Sequence, residues 1–187
     1  MLDERSLIDA ALDGDQAALK RLYDIHVGMV FRFIHGMRVP EQEIEDCVQE
    51  TFISAFRNLK KLREGVRFST WLYSVAMNVS RSRVRNVRWA DRLKDLFSRE
   101  SWAQPSETPE KSAERSLGRE LAGRILERIP EKKRAVLIMR EMLEMTEDDI
   151  AEALQIPRGT VATRLHKARK DFERIARRGY GVGKDGL

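Results

Sequence analysis

MTEDDIAEALQIPRGTVATRLHKARKDF, Met145 to Phe172, reads as two short helices with a tight break between them. Thr146 is placed to cap the first helix. Glu147, Asp148 and Asp149 fill its opening turn, where negative charge suits the helix dipole. Ile150, Ala153 and Leu154 then follow at i, i+3 and i+4, one apolar stripe. Ile156-Pro157 ends that helix, because proline has no N–H to donate. Gly159-Thr160 opens a second helix, with Val161, Leu165, Ala168 and Phe172 inward. The unit is a helix-turn-helix. Its second helix carries Arg158, Arg164, Lys167, Arg169 and Lys170 against an acidic first helix, a face suited to phosphates. The plainer alternative is a helical hairpin with a solvated charged face. The rest of the chain decides between them.

Composition sets the frame. A chain of 187 residues holds one domain or two small ones. Its 42% hydrophobic content supports real cores, and its 35% charged content fits helices with wide wet faces. The net charge of +5 matters less than its segregation. Arg81 to Lys94 holds six basic residues and one acid, whereas Glu41 to Glu50 holds five acids and no base. One surface for a polyanion and another for a basic partner follow from that split. A single cysteine, Cys47, excludes a disulfide framework and a cysteine zinc cluster. The acidic start MLDERSLIDAALDGD has no signal-peptide core, and no apolar run reaches membrane-spanning length. The expectation is a soluble, cytoplasmic protein.

Hydrophobic periodicity predicts helices throughout and no convincing strand. Leu2 to Leu12 is a short amphipathic helix, and Asp15 caps a long one. Leu22, His26, Met29, Val30, Phe33, Ile34 and Met37 step along the inner face of that long helix. His26 reads as a core or edge histidine, since no Cys/His partner has metal spacing. A third helix runs from Glu41 to about Leu62, with Ile44, Val48, Phe52, Ala55, Phe56 and Leu59 inward. Its opposite face, Asp46, Gln49, Glu50, Ile53 and Arg57, sets an exposed isoleucine among carboxylates and an amide. That is a partner-docking pattern or, equally, a solvated face.

In the fourth helix Phe68, Trp71, Leu72, Val75, Ala76 and Val79 form the core stripe, and Ser69-Thr70 caps its start. Tyr73, Ser74, Met77 and Asn78, then Arg81, Arg85 and Arg88, are expected on the wet side. Aromatic and amide groups running into arginines suit single-stranded nucleic acid. Ser98 to Ala113 is rich in Ser, Pro and Glu and reads as a flexible linker, with Trp102 its one large apolar residue. Helical pattern resumes at Glu114, with Leu117, Leu121, Ile125 and Ile129 inward. Glu131 to Leu143 follows, with Ala135, Val136, Met139 and Leu143 inward, and the chain ends in a disordered tail, GYGVGKDGL.

Four stretches occur in the order and spacing of one known family. They are DCVQETFISAFRNL from Asp46, FSTWLYSVAMNVSRSRVR from Phe68, IPEKKRAVLIMRE from Ile129, and the helix-turn-helix from Met145. Together they resemble the extracytoplasmic-function (ECF) group of bacterial RNA polymerase sigma factors. The resemblance implies an all-α fold of two small helical domains joined by a flexible linker, the C-terminal one a helix-turn-helix. Region 2 would span 1–95, the linker 96–113, region 4 114–178 and the tail 179–187. The implied function is binding core RNA polymerase and directing initiation at promoters through their -35 and -10 elements.

Roles carried over by resemblance fall on matching positions. Asp46, Gln49, Glu50 and Ile53 would dock on the clamp helices of the polymerase's largest subunit. Arg63, Arg67, Tyr73, Asn78, Arg81 and Arg85 would capture the opened -10 strand. Arg158, Thr160, Ala162, Thr163, Arg164, His166 and Lys167 would meet the -35 duplex. By chemistry, Arg164 and Lys167 are phosphate clamps and Thr163 and His166 base readers. Ala162 departs from the family's frequent basic residue and offers a methyl alone. Other implied partners are the flap of the second-largest polymerase subunit and an anti-sigma factor.

No cofactor, metal or small-molecule substrate is implied. The Asp148-Asp149 pair is explained by helix-start chemistry, and no Ser/His/Asp constellation or glycine-rich phosphate loop accompanies it. The protein is not expected to be an enzyme. Two rival classes stay open from the residues alone. One is a stand-alone dimeric helix-turn-helix regulator with a palindromic site. The other is a DNA-processing enzyme built on the same motif.

Overall fold

The computed structural model describes the backbone of residues 4–97 and 113–180, with side chains over 4–86 and 120–180. Eight α-helices and no strand occur among the described residues. The all-α expectation therefore holds. The expected linker, Trp102 included, lies outside the described residues apart from helical backbone at 96, 97 and 113, as does the tail beyond Tyr180. No helix among the described residues is long and apolar enough to cross a membrane.

The first domain stacks α1 (Glu4–Leu12), α2 (Gln16–Gly36), α3 (Ile44–Arg57) and α4 (Phe68–Phe97). Asp15 caps α2 by accepting from the Ala17 N–H at 2.7 Å. The α2 stripe folds inward as its spacing demands, with Leu22, Val30, Phe33 and Ile34 fully buried. Each such side chain contributes about 1.5–3 kcal/mol through removal from water. His26 is a core histidine. Its Nε2 lies 2.9 Å from Glu4 Oε1, and its ring is tilted against Phe68 at 5.2 Å.

The third helix is shorter than its apolar pattern suggested. Glu41–Glu43 and Leu59–Lys61 are single 3-10 turns flanking Ile44–Arg57. Pro40 precedes the first turn, and Asn58 breaks the helix by bonding its side-chain amide back to the Ser54 carbonyl at 2.8 Å. The second 3-10 turn keeps the apolar stripe going, since Leu59 remains buried. Cys47 is fully buried, and burial raises its thiol pKa, so the thiol is held neutral and unreactive.

Helix α4 begins at Phe68, so Ser69 and Thr70 lie inside its first turn and do not cap it. It continues to Phe97, past the boundary expected at 95. The second domain comprises α5 (Ala113–Glu127), α6 (Glu131–Glu141), α7 (Glu147–Leu154) and α8 (Arg158–Tyr180). Helix α8 carries on through Gly179 and Tyr180, two residues expected in the tail, and Tyr180 packs against the core. Ile125, Ile129, Ala135, Val136, Met139, Ile150, Val161 and Leu165 close this second core.

Helix α6 is buried on every side from Arg134 to Met139. The sequence stripe accounted for Ala135, Val136 and Met139. Ile138 is enclosed because α2 of the first domain covers that side. Helix α7 likewise rests on α4. The two domains meet along these two seams.

Candidate nucleic-acid and polymerase interfaces

The helix-turn-helix is fixed by its caps. Thr146 Oγ1 accepts from the Asp149 N–H at 3.1 Å, and Asp149 Oδ2 accepts from the Thr146 N–H at 3.1 Å, a reciprocal capping box. Desolvation pushes the Asp149 carboxyl up. Hydrogen bonds from Thr146 and an ion pair with Arg67 outweigh it and hold the carboxyl below its ordinary range. Helix α7 stops at Leu154 because Gln155 turns left-handed, at φ 51° and ψ 49°, and its N–H and that of Ile156 close the helix end. Arg158 then reaches back to Glu147 and Asp148 at 3.5 and 3.6 Å, tying the two helices across the turn.

Helix α8 buries Val161, Leu165 and Ala168 and turns the opposite residues outward. Arg158, Ala162, Thr163, His166 and Lys167 are exposed, and Thr160 and Arg164 are half-buried. All seven residues expected at a duplex thus share the accessible side of one helix. The Thr163 hydroxyl donates to the Gly159 carbonyl at 2.8 Å, which leaves its oxygen lone pair and methyl for a base edge. Thr160, Thr163, Arg164 and Lys167 line a cleft of about 830 Å³ whose other wall is Arg81, Glu131, Lys132 and Lys133. Lys133 bonds to Asp171 at 2.6 Å, and with Arg174 holds that carboxyl below its ordinary range. Sequence reasoning passed over Lys132, an exposed cation whose signal was the doubled lysine after Pro130.

On α3, Asp46, Gln49, Glu50 and Ile53 are all exposed and fall at i, i+3, i+4 and i+7. Ile53 is 50% exposed, one of the few large apolar side chains left in water. Arg83 of α4 bridges this face from behind, bonding Glu43 at 2.7 Å and Glu50 at 3.1 Å. That residue was overlooked because its neighbours Arg81 and Arg85 read as one basic stripe, whereas Arg83 points to α3.

The expected strand-binding set is split. Arg63, Arg67, Asn78, Arg81 and Arg85 are exposed. Tyr73 is not: it is 4% exposed, its ring lies 5.9 Å from Phe33, and burial pushes its hydroxyl up to about 12. Met77 is buried with it. Both belong to the core and not to the wet face. The stripe of α4 is wider than expected because α2 and α3 both pack on it. Trp71, by contrast, is half-buried and lines a cleft of about 640 Å³ with Lys61, Arg63, Val66, Thr70 and Ser74. Gly65, at φ 83°, supplies the left-handed turn in the loop that carries Arg63, on that rim, and Arg67. Glu152 and Ala153 of α7, with Gln155 just beyond its end, form its far side. Arg67 is ion-paired with Asp149, and Arg81 Nε bonds Glu131 at 2.7 Å.

Among the described residues the chain is helical, with a capped helix-turn-helix in its second domain and an acidic, isoleucine-centred exposed face on α3 of its first. Comparison with known proteins makes this specific. Residues 22–90 match the Sigma-70 region 2 family and residues 119–172 match Sigma-70, region 4. The ECF RNA polymerase sigma factor SigW of Bacillus subtilis is 30% identical over 174 residues, covering 88% of this chain and 91% of that protein. The RNA polymerase sigma-H factor of Pseudomonas aeruginosa is 29% identical over 186 residues, covering 91% and 92%. In fold, the chain is similar to CnrH in its complex with the cytosolic domain of CnrY, with a TM-score of 0.70, 23% identity and coverage of 92% and 96%. It is also similar to the sigma factor RpoE in complex with the anti-sigma factor NepR from Bartonella quintana, with a TM-score of 0.66, 18% identity and coverage of 86% and 97%. The chain belongs to the ECF group of RNA polymerase sigma factors. It is an alternative sigma factor that directs transcription initiation.

Proposed function

We propose that the first domain docks on the clamp helices of the largest polymerase subunit through Asp46, Gln49, Glu50 and Ile53. The observation that carries this is Ile53, half in water among two carboxylates and an amide on one helix stripe. A basic coiled coil with an apolar seam complements that face, and Arg83 holds Glu50 in register for it. Arg63, Arg67, Asn78, Arg81 and Arg85 then take the displaced -10 strand, with Trp71 as the aromatic that a base could stack on. Tyr73 has no part in this.

The second domain reads the -35 duplex with α8. Arg158, Thr160, Arg164 and Lys167 serve phosphates, and Ala162, Thr163 and His166 face base edges. An apolar groove of about 700 Å³ on the same domain, lined by Leu126, Leu137, Ile138, Met142 and Phe172, suits the flap of the second-largest subunit. The chemistry of RNA synthesis stays with the polymerase, which this chain equips with promoter choice. An anti-sigma factor is a further partner, a reading supported by two solved chains of similar fold, RpoE in complex with the anti-sigma factor NepR and CnrH in complex with the cytosolic domain of CnrY.

Co-elution with bacterial core polymerase tests the docking face. Wild type is expected to elute with core, and a variant with Asp46, Gln49 and Glu50 all replaced by alanine is expected to elute alone while keeping its helical signal. Co-elution of the folded variant at wild-type level would place the docking surface elsewhere.

A further inference from the structure

Resting on the entry of α8 into the -35 duplex, we propose that the C-terminal half of that helix is a second duplex contact. Lys170, Arg174, Arg177 and Arg178 clamp the phosphate backbone bordering the groove that the first half reads, and they read no sequence themselves.

Three observations carry this. First, α8 has 23 residues, about 34 Å of helix. The reading residues, Arg158 to Lys167, take up about 15 Å of it, enough to fill a major groove about 12 Å wide. The remaining turns leave the groove across a strand of phosphates, as the end of the homeodomain recognition helix does. Second, Thr163, Lys167, Lys170, Arg174 and Arg177 fall at i, i+4, i+7, i+11 and i+14, one straight ridge with Arg178 beside it, and all six are exposed. Val161, Leu165, Ala168, Ile175 and Ala176 take the opposite, buried side. The basic ridge is thus continuous with the reading face and not a separate patch. Third, Lys170, Arg174, Arg177 and Arg178 line a surface cleft of about 280 Å³ in which Glu173 is the one acid. A Cβ added at Gly179 would stand 3.3 Å from Arg128 Nη1, which sets a fifth cation at the end of the ridge.

The charge on this ridge is available. Arg169, which lies off it, is held by Glu141 at 2.7 Å, and Arg174 gives one bond to Asp171 at 2.9 Å. Among the described residues no carboxylate lies within ion-pair distance of Lys170, Arg177 or Arg178. The reading half is poorer in grip, because Arg158 is turned back to Glu147 and Asp148 and Ala162 carries no charge. Phosphates beside the groove complement the ridge, and counterion release there adds affinity that is equal on all sequences.

The test uses the full chain and a fluorescein-labelled duplex of mixed sequence, about three helical turns long, titrated by anisotropy at salt concentrations from about 50 to 200 mM. Lys170→Gln, Arg177→Gln and Arg178→Gln are combined in one variant, since all three side chains are exposed and glutamine keeps the helix. Lys20→Gln, Arg21→Gln and Arg124→Gln form the charge-matched control, on exposed positions of α2 and α5. The ridge variant is expected to lower the steepness of log K against log salt by about two to three units, and by the same amount on a second, unrelated duplex. The control is expected to keep the wild-type steepness. A ridge variant as steep as the control, beside a Lys167→Ala variant that loses about one unit, would overturn the clamp and leave the reading half standing, with the ridge then fitting an acidic protein. Control steepness in both variants, or no duplex binding by wild type at about 50 mM salt, would overturn the duplex role of α8 altogether.

Discussion

Replacing Thr146 by alanine removes one hydroxyl and with it half of the capping box. Two contacts disappear: the bond Thr146 Oγ1 accepts from the Asp149 N–H at 3.1 Å, and the one its hydroxyl donates to Asp149 Oδ2 at 2.6 Å. Thr146 is exposed, so water replaces part of what is lost. Helix α7 has eight residues, too few to persist alone, and is kept by Ile150 and Ala153 packing beneath α8. A lost cap at such a helix costs about 1 kcal/mol. For a domain of this size that is a fall of about 4–8 °C in the melting temperature of the transition that includes α7. Thermal unfolding of the full chain followed by circular dichroism measures it. Thr146→Ser keeps the oxygen and is expected to melt close to wild type. A Thr146→Ala variant melting within about a degree of wild type, or a Thr146→Ser variant losing as much as alanine, would refute the capping argument.

Further outcomes follow from the same geometry. Gln155 holds a left-handed conformation that costs an L-residue about 1 kcal/mol, so Gln155→Gly is expected to raise the unfolding free energy by about 0.5–1 kcal/mol in urea titration. Arg164→Ala and Lys167→Ala are each expected to weaken duplex binding on all sequences and to lower the salt dependence of log K by about one unit, read by titration across salt concentrations. Glu4 is held below the ordinary carboxylate range by the hydrogen bond from His26, so it contributes stability that is present above its unfolded-state pKa and is lost as pH falls through its lower folded value. Glu4→Gln is accordingly expected to flatten the acid side of the stability profile, measured by denaturant unfolding at a series of pH values.

Local signals in the chain were legible because they arise from residues close in sequence. Asp15 and Thr146 cap because a short side-chain oxygen reaches N–H groups two or three residues on. The stripe of α2 and the inward set of α8 follow from helical spacing alone. The outward placement of Arg158, Thr160, Ala162, Thr163, Arg164, His166 and Lys167 on α8 was legible because Val161, Leu165 and Ala168 take the buried face. What escaped depended on distant contacts. Tyr73 is polar enough to read as wet, yet α2 encloses it through Phe33. Arg83 has the spacing of a basic stripe and the partners of an ion-pair bridge, Glu43 and Glu50, 40 and 33 residues away in the chain. Helix α6 carried a signal that went unread. Arg134 to Met139 contains apolar residues on both sides, and a helix apolar all round is buried all round. Its second cover is α2 of the other domain, through Gly36, and no periodicity names a partner that far away.

The central claim is that this chain gives core polymerase its promoter choice, with each domain reading one element. The most direct measurement is transcription by bacterial core polymerase from a promoter-fragment library, with the wild-type chain, with Arg164→Ala/Lys167→Ala, and without any added factor. The account predicts discrete transcripts with the wild type, loss of most of them with the double variant, and none from core alone. Transcripts of equal pattern and strength with the double variant, or a chain that shifts duplex DNA as a dimer yet never starts transcription with core, would contradict it.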